Sequence, residues 1–397
     1  MAICRLGDLI KIKHGYAFKG NYISTEDNGI VLVTPGNFKI GGGFKEEKCK
    51  FFTSVYPSDY VLKPGDLIVT MTDLSKTVDT LGYSAIVPNS KRTYLHNQRI
   101  GLINIIDSTI VDKKYLYWLM RSPKYQKTIA ATSTGSTVHH TSPNRIYEYE
   151  FDLPQISVQR KIAGILSDIE EKINKNSTIN NNLEQQALTI FANEFLSLDT
   201  IPEGWKQASL IDIADYLNGL AMQKYRPTVD ETGIPVLKIK ELRQGCCDDN
   251  SELCSPSIKS EYIIHDGDVI FSWSGSLLVD FWCGGICGLN QHLFKVTSNK
   301  YNKWFYYAWT KHHLDRFIAV AADKATTMGH IKRDELAKAE VFIPNETDYN
   351  RIGALLQPIY EMIISNRIEN KKLATTRDTL LPKLMNGEID MSEVDYE

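Results

Sequence analysis

Five of the seven cysteines fall in two short clusters whose residue types could bind a metal ion. Cys246, Cys247 and Cys254 lie in CCDDNSELC, and Cys283 and Cys287 lie in CGGIC. Zinc sites commonly pair two cysteines as C-x2-C, and neither cluster has that spacing. The odd number of cysteines also fits a reducing compartment. We therefore expect reduced or buried thiols, and a zinc site is the alternative.

Acidic residues raise a second chemistry, the metal-dependent cleavage of nucleic acid. The segment KEEKCK, residues 45–50, contains a Glu-x-Lys fragment of the kind found in metal-dependent nucleases, but no paired aspartate accompanies it. The chain has no D/N-P-P-Y/F/W motif and no G-x4-G-K-S/T phosphate loop. The glycine-rich IGGGF, residues 40–44, does not head an obvious helix and is interpreted as a turn. We expect a chain that is not an enzyme, with a nuclease as a less favoured alternative.

The basic residues are distributed unevenly, although the net charge is only −3. Residues 1–153 carry 19 Lys and Arg against 14 Asp and Glu, a net charge of +5. The segments 154–199, 200–343 and 344–397 have net charges of −2, −2 and −4. A basic first part can bind nucleic acid if its cations cluster on one surface.

An internal repeat determines which elements position these residues. LPQISVQRKIAGILSDIEEKI, residues 153–173, recurs as IPNETDYNRIGALLQPIYEMI, residues 343–363. Five further blocks recur in the same order: 6–20 with 210–224, 29–42 with 233–246, 63–73 with 265–275, 95–105 with 288–298, and 114–122 with 303–311. Each half therefore follows one plan of short strands, a helix near 114–130 or 303–320, and a long helix. We expect the aromatic residues of the shorter helices to lie in the core.

The fold class that follows is α+β, with two β-rich domains and two long helices. The β-rich domains are predicted at residues 1–153 and 200–343. The helical segments are predicted at residues 154–199 and 344–397, the second with a C-terminal tail.

The long helices carry a heptad seam that begins with apolar residues at positions 162, 166, 169 and 173. Continued, the seam reaches Asn176 and Asn180 in the first helix and Asn366 and Asn370 in the second. A buried Asn costs stability but fixes the register of a coiled coil, because it needs another amide as its partner. The alternative is that these Asn residues lie on a solvated stretch.

The ends of the long helices are predicted from capping residues and helix breakers. Ser157 and Thr347 are placed to cap the two N-termini. The first helix should run from about residue 158 to 197 and span roughly 60 Å. Isolated helices are weak in water, so each needs a partner, and the natural partner is its own copy. Antiparallel pairing would relate the two β-rich domains by a pseudo-twofold axis.

The chain contains no run of 18 apolar residues. Its first residues, MAICRLGDLIKIKHG, alternate apolar and polar types and lack the layout of a signal peptide. A cytoplasmic location is therefore expected.

This organisation resembles the specificity subunit of type I restriction–modification systems, over nearly the whole chain. The stretches that carry the resemblance are FDLPQISVQRKIAGILSDIEEKI, GDLIVT, GDVIFSWSGS, GGICGLNQHLFKV, ATTMGHIKRDEL and LLPKLMNGEI. Their order and their duplication make the resemblance specific.

The resemblance implies a non-catalytic subunit that directs partner subunits to double-stranded DNA. Its two domains would read the two halves of an asymmetric bipartite target, and its helices would set the spacing and dock two methyltransferase subunits. It implies no cofactor in this chain, with S-adenosylmethionine on the methyltransferase subunits and ATP and Mg²⁺ on restriction subunits that act as motors and nucleases. A protein-binding scaffold with two β-domains is the alternative.

Candidate DNA contacts are polar or aromatic side chains on predicted loops and strand ends. In the first domain they are Lys11, Lys13, His14, Tyr16, Lys19, Asn37, Lys39, Lys76, Thr137, His139, His140 and Arg145. In the second domain they are Gln223, Lys224, Tyr225, Arg226, Lys238, Lys240, Arg243, Trp273, Thr327, His330 and Lys332. The Asn-Gln pairs at 97–98 and 290–291 either join them or satisfy backbone groups at strand ends.

Candidate partner contacts are polar residues near the start of each long helix. They are Gln159, Arg160, Lys161, Asn350 and Arg351, which are expected to be exposed. A plain solvated helix face is the alternative for these residues.

Overall fold

The computed structural model describes residues 2–73, 75, 77–323, 331, 333–392 and 394. The chain forms two compact units. Unit 1 comprises Met1–Glu171 and Thr375–Glu397, and unit 2 comprises Lys172–Ala374.

Unit 1 is built from short strands and short helices, followed by a long helix that continues into unit 2. The elements are β1 (Ala2–Arg5), α1 (Leu6–Leu9), β2 (Ile10–His14), β3 (Ile23–Ser24), β4 (Ile30–Val33), β5 (Lys50–Phe52), β6 (Val61–Leu62), β7 (Leu67–Thr70), β8 (Thr72–Asp73), β9 (Ser84–Ile86), β10 (Thr93–His96), β11 (Ile100–Ile105), α2 (Lys113–Leu119), α3 (Pro123–Ala131), β12 (His139–His140), α4 (Pro143–Tyr147), β13 (Glu150–Leu153) and α5 (Ile156–Phe191).

Two sheets dominate unit 1. One has the order β3-β5-β4-β10-β6, with β4 and β10 parallel. The other is antiparallel, has the order β2-β11-β7-β9, and ends at β2 as an edge strand. The pairs β1–β13 and β8–β12 complete the unit.

The aromatic residues of α2 lie in the core of unit 1, which confirms the sequence prediction. Tyr115 and Trp118 are fully buried. The single helix predicted near residues 114–130 is instead two, α2 and α3. The second helix begins at Pro123, which has no N–H to continue the first, and Ser122 caps it.

Unit 2 repeats this plan, and its last helix continues into unit 1 from Thr375 onwards. Its elements are β14 (Lys206–Ser209), α6 (Leu210–Ile213), β15 (Asp215–Asn218), β16 (Ile234–Leu237), α7 (Ile239–Gln244), β17 (Leu253–Cys254), β18 (Ile263–Ile264), β19 (Val269–Ser272), β20 (Leu278–Phe281), β21 (Cys287–Leu289), β22 (Leu293–Thr297), α8 (Lys303–His312), α9 (Leu314–Asp323), α10 (Arg333–Ala337), β23 (Glu340–Ile343) and α11 (Glu346–Met385).

The topology shows the same repeat as the sequence. The sheet β15-β22-β19-β20 of unit 2 matches β2-β11-β7-β9 of unit 1. In each sheet the chain leaves the edge strand through a glycine, Gly15 or Gly219, whose Cβ would overlap a backbone carbonyl of Asn97 or Asn290. The close backbone approach explains why both copies have glycine at this position.

Both long helices begin earlier than their predicted caps. Helix α5 starts at Ile156 and α11 at Glu346, so Ser157 and Thr347 lie inside the helices and their prediction as N-caps is wrong. Asn345 caps α11 instead, because its Oδ1 accepts a hydrogen bond of 2.9 Å from the Asp348 N–H. Helix α5 is followed by a π-helical turn, Ala192–Leu196. At 36 and 40 residues, the helices span about 54 and about 60 Å.

Within each unit, the segments of α5 and α11 run antiparallel. In unit 2, the Asn176 side chain donates to Asn370 Oδ1 at 2.9 Å, and the Asn366 side chain donates to Asn180 Oδ1 at 2.8 Å. In unit 1, Leu166 of α5 shares a buried core with Leu381 of α11. The predicted antiparallel coiled coil is therefore confirmed.

Candidate nucleic-acid interface

The edge strand β2 of unit 1 carries exposed basic side chains, with Lys11 and Lys13 on one face of the sheet and His14 on the other. Lys11, Lys13 and His14 are all exposed there. Lys13 Nζ donates to the backbone carbonyl of Asp59 at 2.8 Å. Neither lysine pairs with a carboxylate among the described residues of unit 1. Uncompensated cations on an edge strand attract phosphate groups.

Aromatic rings lie directly beside these cations. Tyr16, which is 44% exposed, has its ring centroid 5.3 Å from that of Tyr60. Lys13 Nζ lies 4.8 Å from the Tyr60 centroid. Lys19 is exposed a few residues further along the chain. Rings interleaved with cations provide stacking surfaces in nucleic-acid interfaces.

An open concavity of about 560 Å³ lies at the same end of the sheet. We call it the concave site, and it is lined by residues 12, 14, 71, 72, 98, 140–144 and 147. It brings together two of the predicted contacts, His14 and His140, which are far apart in sequence.

Backbone and side-chain hydrogen bonds hold the wall of the concave site. The Thr141 N–H donates to the Met71 carbonyl at 3.1 Å, and Thr72 Oγ1 lies 3.2 Å from His140 Nδ1. The Tyr147 hydroxyl accepts a 2.7 Å hydrogen bond from the Ile12 N–H. The hydroxyl proton of Tyr147 therefore remains available to a ligand.

Three polar side chains of the concave site have no hydrogen bond to any described residue. They are the imidazole of His14 and the carboxamides of Gln98 and Asn144, and all three are exposed. Amides and imidazoles carry the donors and acceptors that recognise base edges. The concave site can therefore offer several specific hydrogen bonds to base edges.

The structure corrects the prediction for Asn37, which is buried and not exposed for DNA contact. Its Oδ1 accepts from the Thr34 N–H at 2.8 Å, and its Nδ2 donates to the Lys45 carbonyl at 3.2 Å. Asn37 therefore satisfies backbone groups of a turn. Of the other candidates in unit 1, Lys39 and Thr137 are exposed, and His139 and Arg145 are half-buried.

The edge strand of unit 2 lacks the basic character of β2. In β15, Asp215 and Leu217 occupy the positions of Lys11 and Lys13. The two units thus present different chemistry at equivalent places.

The basic candidates of unit 2 are largely paired with carboxylates. Glu252 contacts Lys238 at 2.5 Å and Arg226 at 3.1 Å, and the hydrogen bond from Lys238 lowers the pKa of its carboxyl. Lys240 contacts Asp248 at 3.0 Å. The other candidates, Gln223, Lys224, Tyr225 and Arg243, are exposed. Phosphate would have to compete with these carboxylates for three of the cations.

Trp273 follows strand β19 and is half-buried. Its indole N–H donates to Asn218 Oδ1 at 3.0 Å, and its ring stacks on Phe294 with centroids 5.6 Å apart. The remaining candidates, Lys76, Thr327, His330 and Lys332, lie outside the described residues.

The predicted partner contacts fall into two groups. Gln159 is fully buried: it donates to the carbonyls of Ile110 and Pro154 at 2.9 and 2.8 Å and accepts from the Asp112 N–H at 2.9 Å. The expectation that Gln159 is exposed is therefore wrong, because its side chain joins the start of α5 to its own unit. Of the others, Arg160, Asn350 and Arg351 are exposed and Lys161 is half-buried.

Comparison with known families decides what kind of protein carries this surface. The family model for the type I restriction modification DNA specificity domain matches residues 1–185 and, a second time, residues 202–374. The chain belongs to this family.

Relatives within the specificity family are distant in sequence but similar along most of their length. The chain is 28% identical over 339 residues to the type I restriction enzyme MjaIX specificity subunit of Methanocaldococcus jannaschii, covering 79% of this chain and 76% of the relative. It is 20% identical over 387 residues to the HindI specificity subunit of Haemophilus influenzae, covering 78% and 84%. Both relatives, like this chain, are specificity subunits of type I restriction–modification systems.

A solved structure supports the fold of this specificity subunit. The S subunit of the type I restriction–modification system from M. genitalium aligns with a TM-score of 0.60 at 15% identity, covering 98% of this chain and 96% of that one. At this identity the likeness concerns the fold alone.

Sequence reasoning missed part of the concave site of this specificity subunit. Asn144 and Tyr147 were not predicted, because nothing in the sequence places α4 beside β2. The repeated Asn-Gln pairs were a sequence signal for this site, because Gln98 of the first pair lines it. The Asn97 and Asn290 side chains accept hydrogen bonds from backbone N–H groups two residues further along the chain, at 3.0 and 3.3 Å. The Gln98 side chain forms no hydrogen bond with any described residue.

In the part of the chain that the structure describes, no three His, Cys, Asp or Glu side chains are placed to hold a metal ion. Across those same residues, no helix has the length and apolar content that crossing a membrane requires.

Proposed function

We propose that each unit of this specificity subunit reads one half of an asymmetric bipartite target in double-stranded DNA. The observation that carries the proposal is the double match to the DNA specificity domain within one chain. The two copies differ at equivalent surface positions, as Lys11 and Asp215 illustrate. Different side chains at equivalent places favour different base sequences, so the two half-sites should differ.

Helices α5 and α11 would set the number of base pairs between the half-sites. Each helix runs from one unit into the other, so its length contributes to the distance between the two reading surfaces. The amide pairs Asn176–Asn370 and Asn180–Asn366 support a fixed register, because a slip by one residue would leave buried amides unpaired. A fixed register would make the helices a ruler of constant length.

The same helices would dock two methyltransferase subunits, and restriction subunits would join the complex. S-adenosylmethionine would bind the methyltransferase subunits, and ATP and Mg²⁺ the restriction subunits, so that this chain supplies recognition and no cofactor. Exposed Arg160 and Asn350, one near the start of each helix, are the candidate contacts for two copies of one partner.

Shortening both helices tests the ruler. Removing one heptad from α5 and the facing heptad from α11 shortens each by about 10.5 Å, which corresponds to at most about 3 base pairs of DNA. Cells that carry the shortened chain and its methyltransferase should methylate the same two half-sites at a smaller spacing.

The matched control replaces exposed residues of the same heptads without changing their length, and its spacing should stay that of the wild type. An unchanged spacing in the shortened chain would overturn the ruler. A chain that binds no DNA, with its methyltransferase present, would favour the protein-binding scaffold.

A further inference from the structure

The repeat allows the concave site to be compared with the equivalent place in unit 2. Met71 lines the concave site directly after strand β7 and is 5% exposed. Its counterpart, at the equivalent position after β19, is Trp273. Gly101 of β11 likewise corresponds to Phe294 of β22. Unit 2 therefore has two large aromatic rings where unit 1 has a thioether and no side chain.

The Trp273 indole reaches across this place in unit 2. It donates to Asn218, the counterpart of His14, at 3.0 Å and stacks on Phe294. Because Met71 and His14 both line the concave site in unit 1, a side chain that joins their counterparts lies over the same region.

The neighbouring polar side chains of unit 2 also form hydrogen bonds with one another. Gln291, the counterpart of Gln98, lies with its Nε2 3.3 Å from His292 Nε2. Ser274, the counterpart of Thr72, lies with its Oγ 3.1 Å from His292 Nδ1. In unit 1, by contrast, His14 and Gln98 have no hydrogen-bond partner among the described residues.

We propose that the residue directly after strand β7 in unit 1, Met71, and its counterpart directly after β19 in unit 2, Trp273, determine how each unit reads its half-site. In unit 1, base edges of double-stranded DNA enter the concave site and hydrogen-bond to Gln98, Asn144 and His14. In unit 2, the indole covers that place and presents an apolar face to the DNA. The inference rests on the proposed function and adds the residues that separate the two reading modes.

The hydrogen-bonding groups of the concave site indicate which base edges it binds. A carboxamide offers one donor and one acceptor side by side, which matches N7 and the N6 amino group of adenine in the major groove. Lys11 and Lys13 of β2 alternate along the strand with Ile12 and His14, which line the concave site, and so point to the other face of the sheet. The concave site itself therefore supplies the base-reading contacts.

The test is the methylated motif produced in cells that hold the methyltransferase subunit and one variant of this chain. Gln98→Ala and Asn144→Ala should each relax one base position of a single half-site. The ratio of methylation at sites mismatched there to methylation at the cognate site should rise by about 5- to about 100-fold relative to the wild type. Met71→Trp should abolish selection of that half-site and leave the other unchanged.

Two further variants serve as controls. Asn89→Ala removes an exposed amide of unit 1 that lies away from the concave site, and its motif should equal that of the wild type. Trp273→Met should alter only the half-site that Met71→Trp leaves intact. If Met71→Trp does not fold, the two alanine variants decide, because they remove exposed side chains only.

An unchanged motif in both alanine variants would overturn the inference while leaving the proposed function standing. Equal relaxation of both half-sites by one variant would overturn it as well. If the wild-type chain directs no bipartite motif although its methyltransferase is expressed, the proposed function itself fails, and the two failures are thereby distinguished.

Discussion

The buried amide pair between α5 and α11 gives a prediction whose size follows from its geometry. Asn180 and Asn366 are 5% and 8% exposed, and the Asn366 Nδ2 donates to Asn180 Oδ1 at 2.8 Å. Asn180 Nδ2 also donates to the Ile363 carbonyl at 3.3 Å. The variants to compare are Asn180→Leu, Asn366→Leu and the double variant that carries both substitutions.

Each single substitution leaves one buried amide without its partner, which costs about 1–3 kcal/mol. The double substitution removes both amides and replaces them with apolar groups of similar size, which is close to neutral or stabilising. The effects of Asn180→Leu and Asn366→Leu should therefore not add. With the double variant near neutral, the coupling free energy should approach the sum of the two single costs, about 2–6 kcal/mol.

Thermal unfolding followed by helical circular dichroism measures the effect. For a unit of about 200 residues, 1 kcal/mol corresponds to roughly 2–4 °C in Tm, so each single variant should melt about 2–12 °C lower. The double variant should melt at or above the wild type. Asn182→Leu, on the exposed side of α5, is the control and should change the unfolding free energy by less than about 0.5 kcal/mol. A double variant as unstable as the sum of the two singles would refute the role of the amide pair.

Two further predictions concern charge. Replacing both Lys11 and Lys13 with Gln should reduce the magnitude of the slope of log K against log salt for DNA binding by about 2, because each phosphate contact contributes about 0.9. Lys240, which already contacts Asp248, provides the control, and Lys240→Gln should change this slope less. An equal change would contradict the account. Burial lowers the pKa of His313 to about 4, and its Nε2 donates to the Glu340 carbonyl at 2.8 Å. The unfolded chain, with a pKa near 6.5, therefore binds the proton first, so stability is full above about pH 6.5 and falls by up to about 1.4 kcal/mol per pH unit towards pH 4. Unfolding midpoints across this range should fall less in His313→Gln, and an identical fall would refute the assignment.

The repeat made the fold accessible from sequence, because two copies with the same order of blocks constrain each other. The heptad seam located Asn176 and Asn180 correctly at the helix interface, since coiled-coil geometry depends on local spacing alone. Cap positions were harder. Ser157 and Thr347 have the right residue type, but Asn345 lies earlier in the chain and caps α11 first.

The candidate site could be predicted only in part, because burial depends on tertiary packing. Asn37 and Gln159 look like surface residues in the sequence, yet each satisfies backbone groups that no sequence pattern reveals. The concave site depends on α4 packing beside β2 and β8, which brings residues 140–147 to His14. Such long-range neighbours follow from the fold and not from local periodicity.

The most direct test of recognition by this chain is a map of methylated bases across the genome, in cells with and without its gene. The methyltransferase subunit must be expressed in both strains. The account predicts that one asymmetric bipartite motif is methylated only when the chain is present. An identical methylome in the two strains would contradict it.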